Sequence, residues 1–380
     1  MNFEMTKSQR EIQKAARDFV KGEFDKDLAL NFDRSGNFPK QIWKKAVELG
    51  FIGIHFPEKF SGGGLGVIEN VLVAEEFCKK DSTIGAAIML SSFATEYLLR
   101  FGSDRQKEQF LTPVAEGKTI SGSIFGTLPL ATGEYPCALK TNDGWRICGE
   151  FDHVANGGQA GFFCVPCAIN SKDGKSDGLN IFLIESRQKG VAFGENEDKL
   201  GLRMTPTTKM ILTDVEISQE NQIGKENSGQ KQIDRVLGEC CVLISAIALG
   251  TAQGAFERSL SYVKQRIQFG KKIVQFQVTR HKLVVMAAQI EQARYLTYCA
   301  ATSFDSRDPN TYLSALAKLT TTRTAVAVAS EAIQLLGGYG YMKEYEVERF
   351  YRDAKTLQLM AGDTDRLKDV IAENIVGRTK

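Results

Sequence analysis

Residues 334–365 read "QLLGGYGYMKEYEVERFYRDAKTLQLMAGDTD". The pair Gly337–Gly338 closes the apolar run before it, as glycine does where a chain leaves a helix through a left-handed residue. "EYEVERFYRDAKT" then reads as a helix dense in charges and aromatics, and Gly362 with two acids separates it from a last helical run at 364–376. Three longer runs lie upstream: "QKQIDRVLGECCVLISAIALGTAQGAFERSLSYVKQR", "FQVTRHKLVVMAAQIEQARYLTYCAATSF" and "TYLSALAKLTTTRTAVAVASEAIQLLGG". Long amphipathic helices with brief connections predict an antiparallel four-helix bundle over 229–380.

Working outward, the N-terminal third is also helical. Thr6 and Gln9 fit a capping box opening "KSQREIQKAARDFVKGEF", with Ile12, Ala15, Ala16 and Phe19 spaced for one buried face. "PKQIWKKAVELG", "VIENVLVAEEFCKK" and "GAAIMLSSFATEYLLRFG" predict further helices, and "FPEKFSGGGLG" (56–66) a loop. From about residue 120 the period shortens. "TISGSIFGTLPL", "GWRICGEFDHVA", "GFFCVPCAI", "LNIFLIES" and "TKMILTDVEI" are short runs of β-formers, a small barrel or sandwich. The expected class is α+β: an all-α domain over 1–119, a β-domain over 120–228, and the bundle. A cleft where the three meet is the expected place for a large ligand.

Composition narrows the classes. Lys+Arg 48 against Asp+Glu 46 leaves a net charge of +2, which argues against nucleic acid or an anionic membrane as the main partner. The N-terminus shows no basic stretch followed by an apolar one, and no apolar run is expected to approach the roughly 20 residues of a membrane helix. Eight scattered cysteines read as reduced thiols in a cytoplasmic protein. Cys164 and Cys167 form a C-x-x-C inside an apolar strand without a second ligand pair, so no metal site is expected.

Taken singly, the remaining signals have plain readings. Arg266 in "RIQFGKKIVQFQ" (266–277) is a surface cation, and Arg352–Asp353 a helical salt bridge. Together, in this order and spacing, they resemble the acyl-CoA dehydrogenase family, and its short/medium-chain or butyryl-CoA members. "FPEKFSGGGLG" looks like its Pro-Glu-x-x-Gly-Gly loop. "KLGLR", "DVEI", R-x-x-F-G at 266–270 and Q-x-x-G-G-x-G at 334–340 followed by "ERFYRDAK" are similar to its pattern across the whole chain. The resemblance implies FAD, an acyl-CoA thioester, an electron-transfer flavoprotein and a homotetramer built as a dimer of dimers. It also implies that Arg266, Phe269, Gln277, Gln334, Gly337 and Gly338 meet the FAD of a neighbouring subunit, an Arg fork suiting pyrophosphate and Gly a close backbone approach. Phe125, Thr127, His153 and Ala155 fall on the flavin side of the β-domain. The family reaction removes an α proton by a carboxylate and a β hydride to flavin.

The sequence departs from this pattern where it matters. The family's Tyr-Glu-Gly-Thr reads Met360-Ala361-Gly362-Asp363, so the usual catalytic Glu is Ala361, whose backbone N–H remains to polarise a thioester oxygen. A second branch of the family carries its Glu in the first bundle helix, at the position of Cys240, with Glu239 beside it. Cys241 stands where Arg is usual, the family's Trp-Ile-Thr becomes His153-Val154-Ala155, and its CoA-side Ser becomes Gly133. Glu239 and Glu96 are the candidate relocated bases, while Asp363 reads as a helix cap and His153 reads equally as a group titrating near neutrality beside the flavin and as a packing substitute for the family's Trp. The expected activity is FAD-dependent dehydrogenation or reduction at the α,β carbons of an unusual (cyclic, branched or carboxylated) acyl-CoA. The alternatives are a flavin-containing lyase-type enzyme, a decarboxylase or desulfinase without net redox, and a non-catalytic partner subunit of a mixed oligomer.

Overall fold

A computed structural model describes residues 4–124, 135–170, 176–306, 309–362 and 364–377. Seven helices come first: α1 (Lys7–Glu23), α2 (Lys26–Ser35), α3 (Lys40–Glu48), α4 (Val67–Lys80), α5 (Ser82–Met89), α6 (Thr95–Phe101) and α7 (Asp104–Ala115). Thr6 and Gln9 form the expected capping box, with Thr6 Oγ1 accepting from the Gln9 N–H at 3.1 Å. The buried stripe of α1 runs through Ala16, Phe19 and Val20, and Ala15 is exposed. The short helices α2 and α7 escape the sequence pattern.

The run expected as one helix over 85–102 is two, α5 and α6, broken at 90–94. The hydroxyls there compete with the helix ladder. Ser91 Oγ donates to the Ile88 carbonyl at 2.6 Å and Thr95 Oγ1 to the Ser92 carbonyl at 2.5 Å. Trp43 Nε1 donates to Ser91 Oγ, Ser121 Oγ to the Ser91 carbonyl, and Asn156 Nδ2 to the Leu90 carbonyl. The break therefore docks the N-terminal helices onto the sheet and points α6 toward the bundle.

The middle unit holds β1 (Ser121–Ile124), β2 (Cys137–Lys140), β3 (Gly144–Ala155), β4 (Phe162–Asn170), β5 (Ser176–Glu185), β6 (Val191–Phe193), β7 (Thr207–Ser218) and β8 (Gln222–Ile223). They form one sheet in the order β6-β7-β3-β1-β4-β5-β8, with β2 bridging β3 and β4. The β3–β7 ladder shifts register between Phe151 and Val154, where His153 takes a φ of +57°. Such a bulge re-aims a side chain. Trp145, Phe151, Phe162, Phe163 and Phe182 fill the interior of this unit.

The C-terminal unit holds α8 (Gly229–Gln265), the hairpin β9 (Ile267–Gln268) with β10 (Lys271–Lys272), α9 (Gln277–Asp305), α10 (Thr311–Leu336), α11 (Val347–Leu357) and α12 (Thr364–Val376). Helix α8 packs on α10, α9 and α4. It corrects the expectation about apolar runs: by length and composition it would cross a membrane, but 89% of its most apolar 18-residue window is buried inside the protein. Gly250 and Gly254 allow the close approach to α4, because a Cβ there would lie 2.3 Å from the Glu75 carbonyl oxygen and 2.4 Å from that of Lys79.

The expected Arg352–Asp353 bridge is replaced by two separate ties. Arg352 pairs with Asp33 Oδ2 at 2.9 Å and Glu348 Oε2 at 2.6 Å. Asp353 is fully buried and accepts from Ser82 Oγ, Thr83 Oγ1 and the Leu202 N–H at 2.5, 2.5 and 2.6 Å. Adjacent residues on a helix point about 100° apart, so they reach different neighbours. Helix α11 thereby clamps all three units, and "KLGLR" is the β-unit's share of that clamp.

Candidate active site

A small pocket, with a cavity volume of about 40 Å³, lies where the three units meet. Phe93 and Tyr97 reach it from the α5–α6 segment, Ser123 from β1, Cys164 from β4, Cys240 from α8, and Ala361 from the turn between α11 and α12. Its described lining is apolar apart from Tyr97, Ser123, Cys164 and Cys240 and contains no carboxylate and no cation. Burial pushes the Tyr97 phenol and the Cys164 and Cys240 thiols above their ordinary ranges, and neighbouring Cys240 adds to the rise at Tyr97. All three are therefore proton-bearing near neutrality. Ser123 Oγ is buried without a hydrogen-bond partner among the described residues. A buried hydroxyl left so is costly, so a polar ligand atom at this wall is the natural complement.

The Ala361 turn is held from two helices. Ala361 is 2% exposed and sits at φ +53°, followed by Gly362 at +85°. A left-handed non-glycine residue costs about 1–2 kcal/mol, and such strain gathers at functional sites. Lys318 on α10, 1% exposed, donates from Nζ to the Gln358 and Gly362 carbonyls at 2.8 and 2.9 Å. Cys241 Sγ donates to the Ala361 carbonyl at 3.6 Å. The turn's carbonyls are thus engaged on the bundle side while Ala361 itself forms pocket wall. Asp363, expected as a cap for α12, lies outside the described residues.

The two candidate bases are brought together, but not at this pocket. Glu239 is 3% exposed and faces Arg100, which donates from Nε at 2.8 Å to Oε1 and from Nη2 at 2.8 Å to Oε2. Arg235 Nε stands 3.3 Å from Glu239 Oε1. Glu96 Oε1 lies 2.7 Å from His55 Nε2, and the two carboxyl groups are within hydrogen-bonding reach of each other. His55, Glu96 and Glu239 line a second, smaller cavity that shares only Phe93 and Cys240 with the first among the described residues. Neither Glu239 nor Glu96, the candidate relocated bases, is among the described residues that line the first pocket. The rotation of one residue on α8 turns Cys240 to the apolar pocket and Glu239 to α6. Burial, then the Glu96 carboxylate, push Glu239 upward against Arg100; burial also works to raise Glu96, but His55, the Glu239 carboxyl and Arg100 together outweigh this and its pKa falls.

The residues expected to meet FAD divide into two groups. Arg266 ends α8 and stacks its guanidinium over the Tyr339 ring at 5.6 Å. Phe269, 92% exposed at φ +53°, and Gly270 form the tip of the β9–β10 hairpin. Gln277 opens α9, Gln334 lies exposed in the last turn of α10, and Gly337 (φ +61°) and Gly338 follow it at the surface. All six are away from the pocket, on an outer face where a large apolar ring stands in water, which suits contact with a second molecule. On the sheet, His153 is exposed with Nδ1 2.7 Å from Glu197 Oε2, and Ala155 is buried between Ser123 and Thr207. Ala155 brings no hydroxyl, so a flavin here would rely on backbone groups and on the unpartnered Ser123 and Thr208 hydroxyls. Phe125, Thr127 and Gly133 lie outside the described residues. Lys318, Arg100 and His55 are the residues around the site that sequence reading missed. A lysine inside "SALAKLTTT" was the available signal for the first.

Three family models match the chain: acyl-CoA dehydrogenase N-terminal domain over residues 6–118, middle domain over 130–215, and C-terminal domain over 227–376. A short-chain-specific acyl-CoA dehydrogenase of Clostridium acetobutylicum is 34% identical, with 99% of this chain and 100% of the relative covered. The caffeyl-CoA reductase–Etf complex subunit CarC of Acetobacterium woodii is 31% identical over 95% of this chain and 96% of its own length. The solved butyryl-CoA dehydrogenase of Megasphaera elsdenii superposes with a TM-score of 0.93 at 32% identity, covering 99% of this chain and 100% of that one.

Proposed function

The chain belongs to the acyl-CoA dehydrogenase family, FAD-dependent oxidoreductases acting on acyl-CoA thioesters, and from that premise we propose that its pocket favours reduction of an enoyl-CoA at the α,β carbons. The single observation behind this is that the described pocket wall offers protonated acids and no carboxylate. FAD, when bound, supplies the β hydride. The Ala361 N–H polarises the thioester oxygen, and the Cys240 thiol gives the α-carbon its proton. A thioester enolate is far more basic than a thiolate, so a thiol with a raised pKa still protonates it. Desaturation would need the thiolate, which burial disfavours. The aromatic wall of Phe93 and Tyr97, without a described cation, suits a ring-bearing or branched acyl chain better than a carboxylated one, whose charge would stay unpaired.

Arg266, Phe269, Gln277, Gln334, Gly337 and Gly338 would hold the FAD of a neighbouring subunit in a homotetramer, and an electron-transfer flavoprotein would exchange the electrons. The likeness to an Etf-complex subunit supports that partner. The test is anaerobic: photoreduced enzyme is mixed with crotonyl-CoA and cinnamoyl-CoA in D₂O. Flavin reoxidation with one deuteron at the α-carbon is expected, and Cys240→Ala should slow it by about 100-fold or more. Flavin that stays reduced with every enoyl-CoA would sink the reading. The absence of a carboxylate from the described wall also favours a second reading, cleavage of a C–C or C–S bond beside the thioester. Acyl-CoA consumption over flavin that stays oxidised would identify it.

A further inference from the structure

The second cavity holds polar chemistry that the proposed reaction leaves unused. His55 (side chain 6% exposed) and Glu96 line it from the N-terminal helical unit, Glu239 and Cys240 from α8. Among the described residues His55 Nδ1 has no hydrogen-bond partner, and Glu96 Oε2 has none beyond the facing Glu239 carboxyl. Cys240 is the one described titratable residue that lines both cavities. We propose that the Glu96–Glu239 carboxyl pair is a proton reservoir that recharges the Cys240 thiol from behind, out of contact with the acyl group; this rests on Cys240 being the α-carbon donor.

The physical basis is the pairing itself. Two carboxyl groups in hydrogen-bonding reach inside a protein hold one proton between them, because both cannot ionise cheaply. Arg100 and Arg235 face the Glu239 side, His55 the Glu96 side, and Asp305 adds its charge near Arg100 from the end of α9. That proton has a downhill destination in a buried thiolate, whose charge the apolar pocket does not stabilise. In turnover the α-carbon takes the proton of the Cys240 S–H bond, leaving the electron pair on sulfur. The thiolate then takes the shared proton, an O–H bond breaking as S–H reforms, and the pair regains one proton from solvent. One proton enters from solvent per enoyl group reduced. Glu96 and Glu239 are positioning residues in this scheme.

The test uses the FAD-loaded enzyme, reduced anaerobically, with crotonyl-CoA as probe and the variants Glu239→Gln, Glu96→Gln and His55→Gln. A thiol already protonated needs no reservoir for its first event. First-turnover flavin reoxidation should therefore stay within about twofold of wild type. Steady-state turnover on excess dithionite should fall by roughly tenfold or more in the two Glu variants, with loss of its dependence on pH near neutrality. His55→Gln, which leaves both carboxyls in place, should displace the pH profile. The reservoir is refuted if the Glu variants keep wild-type turnover and pH profile, or if they slow the first turnover as much as the steady state. A Cys240→Ala enzyme with an unimpaired first turnover would instead refute the donor assignment.

Discussion

Ala361→Glu places a carboxylate at the pocket wall, and its effect follows from the turn. The backbone at 361 is already left-handed at φ +53° and is held through the Gln358, Ala361 and Gly362 carbonyls, so a new side chain adds no new backbone demand. It would project into the pocket lined by Phe93, Tyr97 and Cys240. Against apolar walls the carboxyl pKa rises toward neutrality, which suits a general base. Because the group can neutralise itself, the stability cost stays at about 1–3 kcal/mol. A positioned base contributes about 10²–10⁴ in rate. Stopped-flow bleaching of the oxidised flavin by butyryl-CoA should therefore speed up by about 100-fold or more over the wild type. A folded, flavin-loaded Ala361→Glu enzyme that bleaches no faster would refute the assignment of this turn as the reacting end of the pocket.

Three further outcomes follow from the same geometry. Arg100→Met leaves Glu239 buried without its bidentate partner and should destabilise by about 3–5 kcal/mol if Glu239 must stay charged, less where it protonates; denaturant unfolding at pH 5 and pH 8 should show the larger loss at pH 8. In the wild type the raised Glu239 pKa means the folded chain keeps a proton that the unfolded one releases; its contribution is full below the ordinary carboxylate pKa and is lost as pH rises through the raised value, a slope that Glu239→Gln should remove from a pH series of melting temperatures. Lys318→Met strands two buried carbonyls and should cost about 2–4 kcal/mol together with weaker crotonyl-CoA binding, read by calorimetry. Phe269→Ala should leave secondary structure and monomer stability within about 0.5 kcal/mol, because the ring is 92% exposed in one protomer, yet lower flavin occupancy and shift the oligomer on a sizing column.

Local periodicity carried the long elements. α8, α9 and α10 were legible because a 3.6-residue apolar pattern repeats over many turns. The strands β3, β4, β5 and β7 were legible because β-formers alternate between turn residues. The short α2 and α7, and the break between α5 and α6, were not. The break at 90–94 is decided by hydrogen bonds from Trp43, Ser121 and Asn156, all distant in sequence.

The sequence by itself determined the family likeness and that residue 361 is an alanine, since both are matters of residue identity. It also supplied Glu239 and Glu96 as the acids to watch. Only the tertiary structure decided which way they face. One step along α8 is about 100° of rotation, enough to present Cys240 to the apolar pocket and Glu239 to Arg100. The partners that settle this, His55, Glu96 and Arg100, lie 139 or more residues away from Glu239 along the chain. Nothing local in the sequence records which charges will meet across such a distance, because the meeting is set by how α6 and α8 pack.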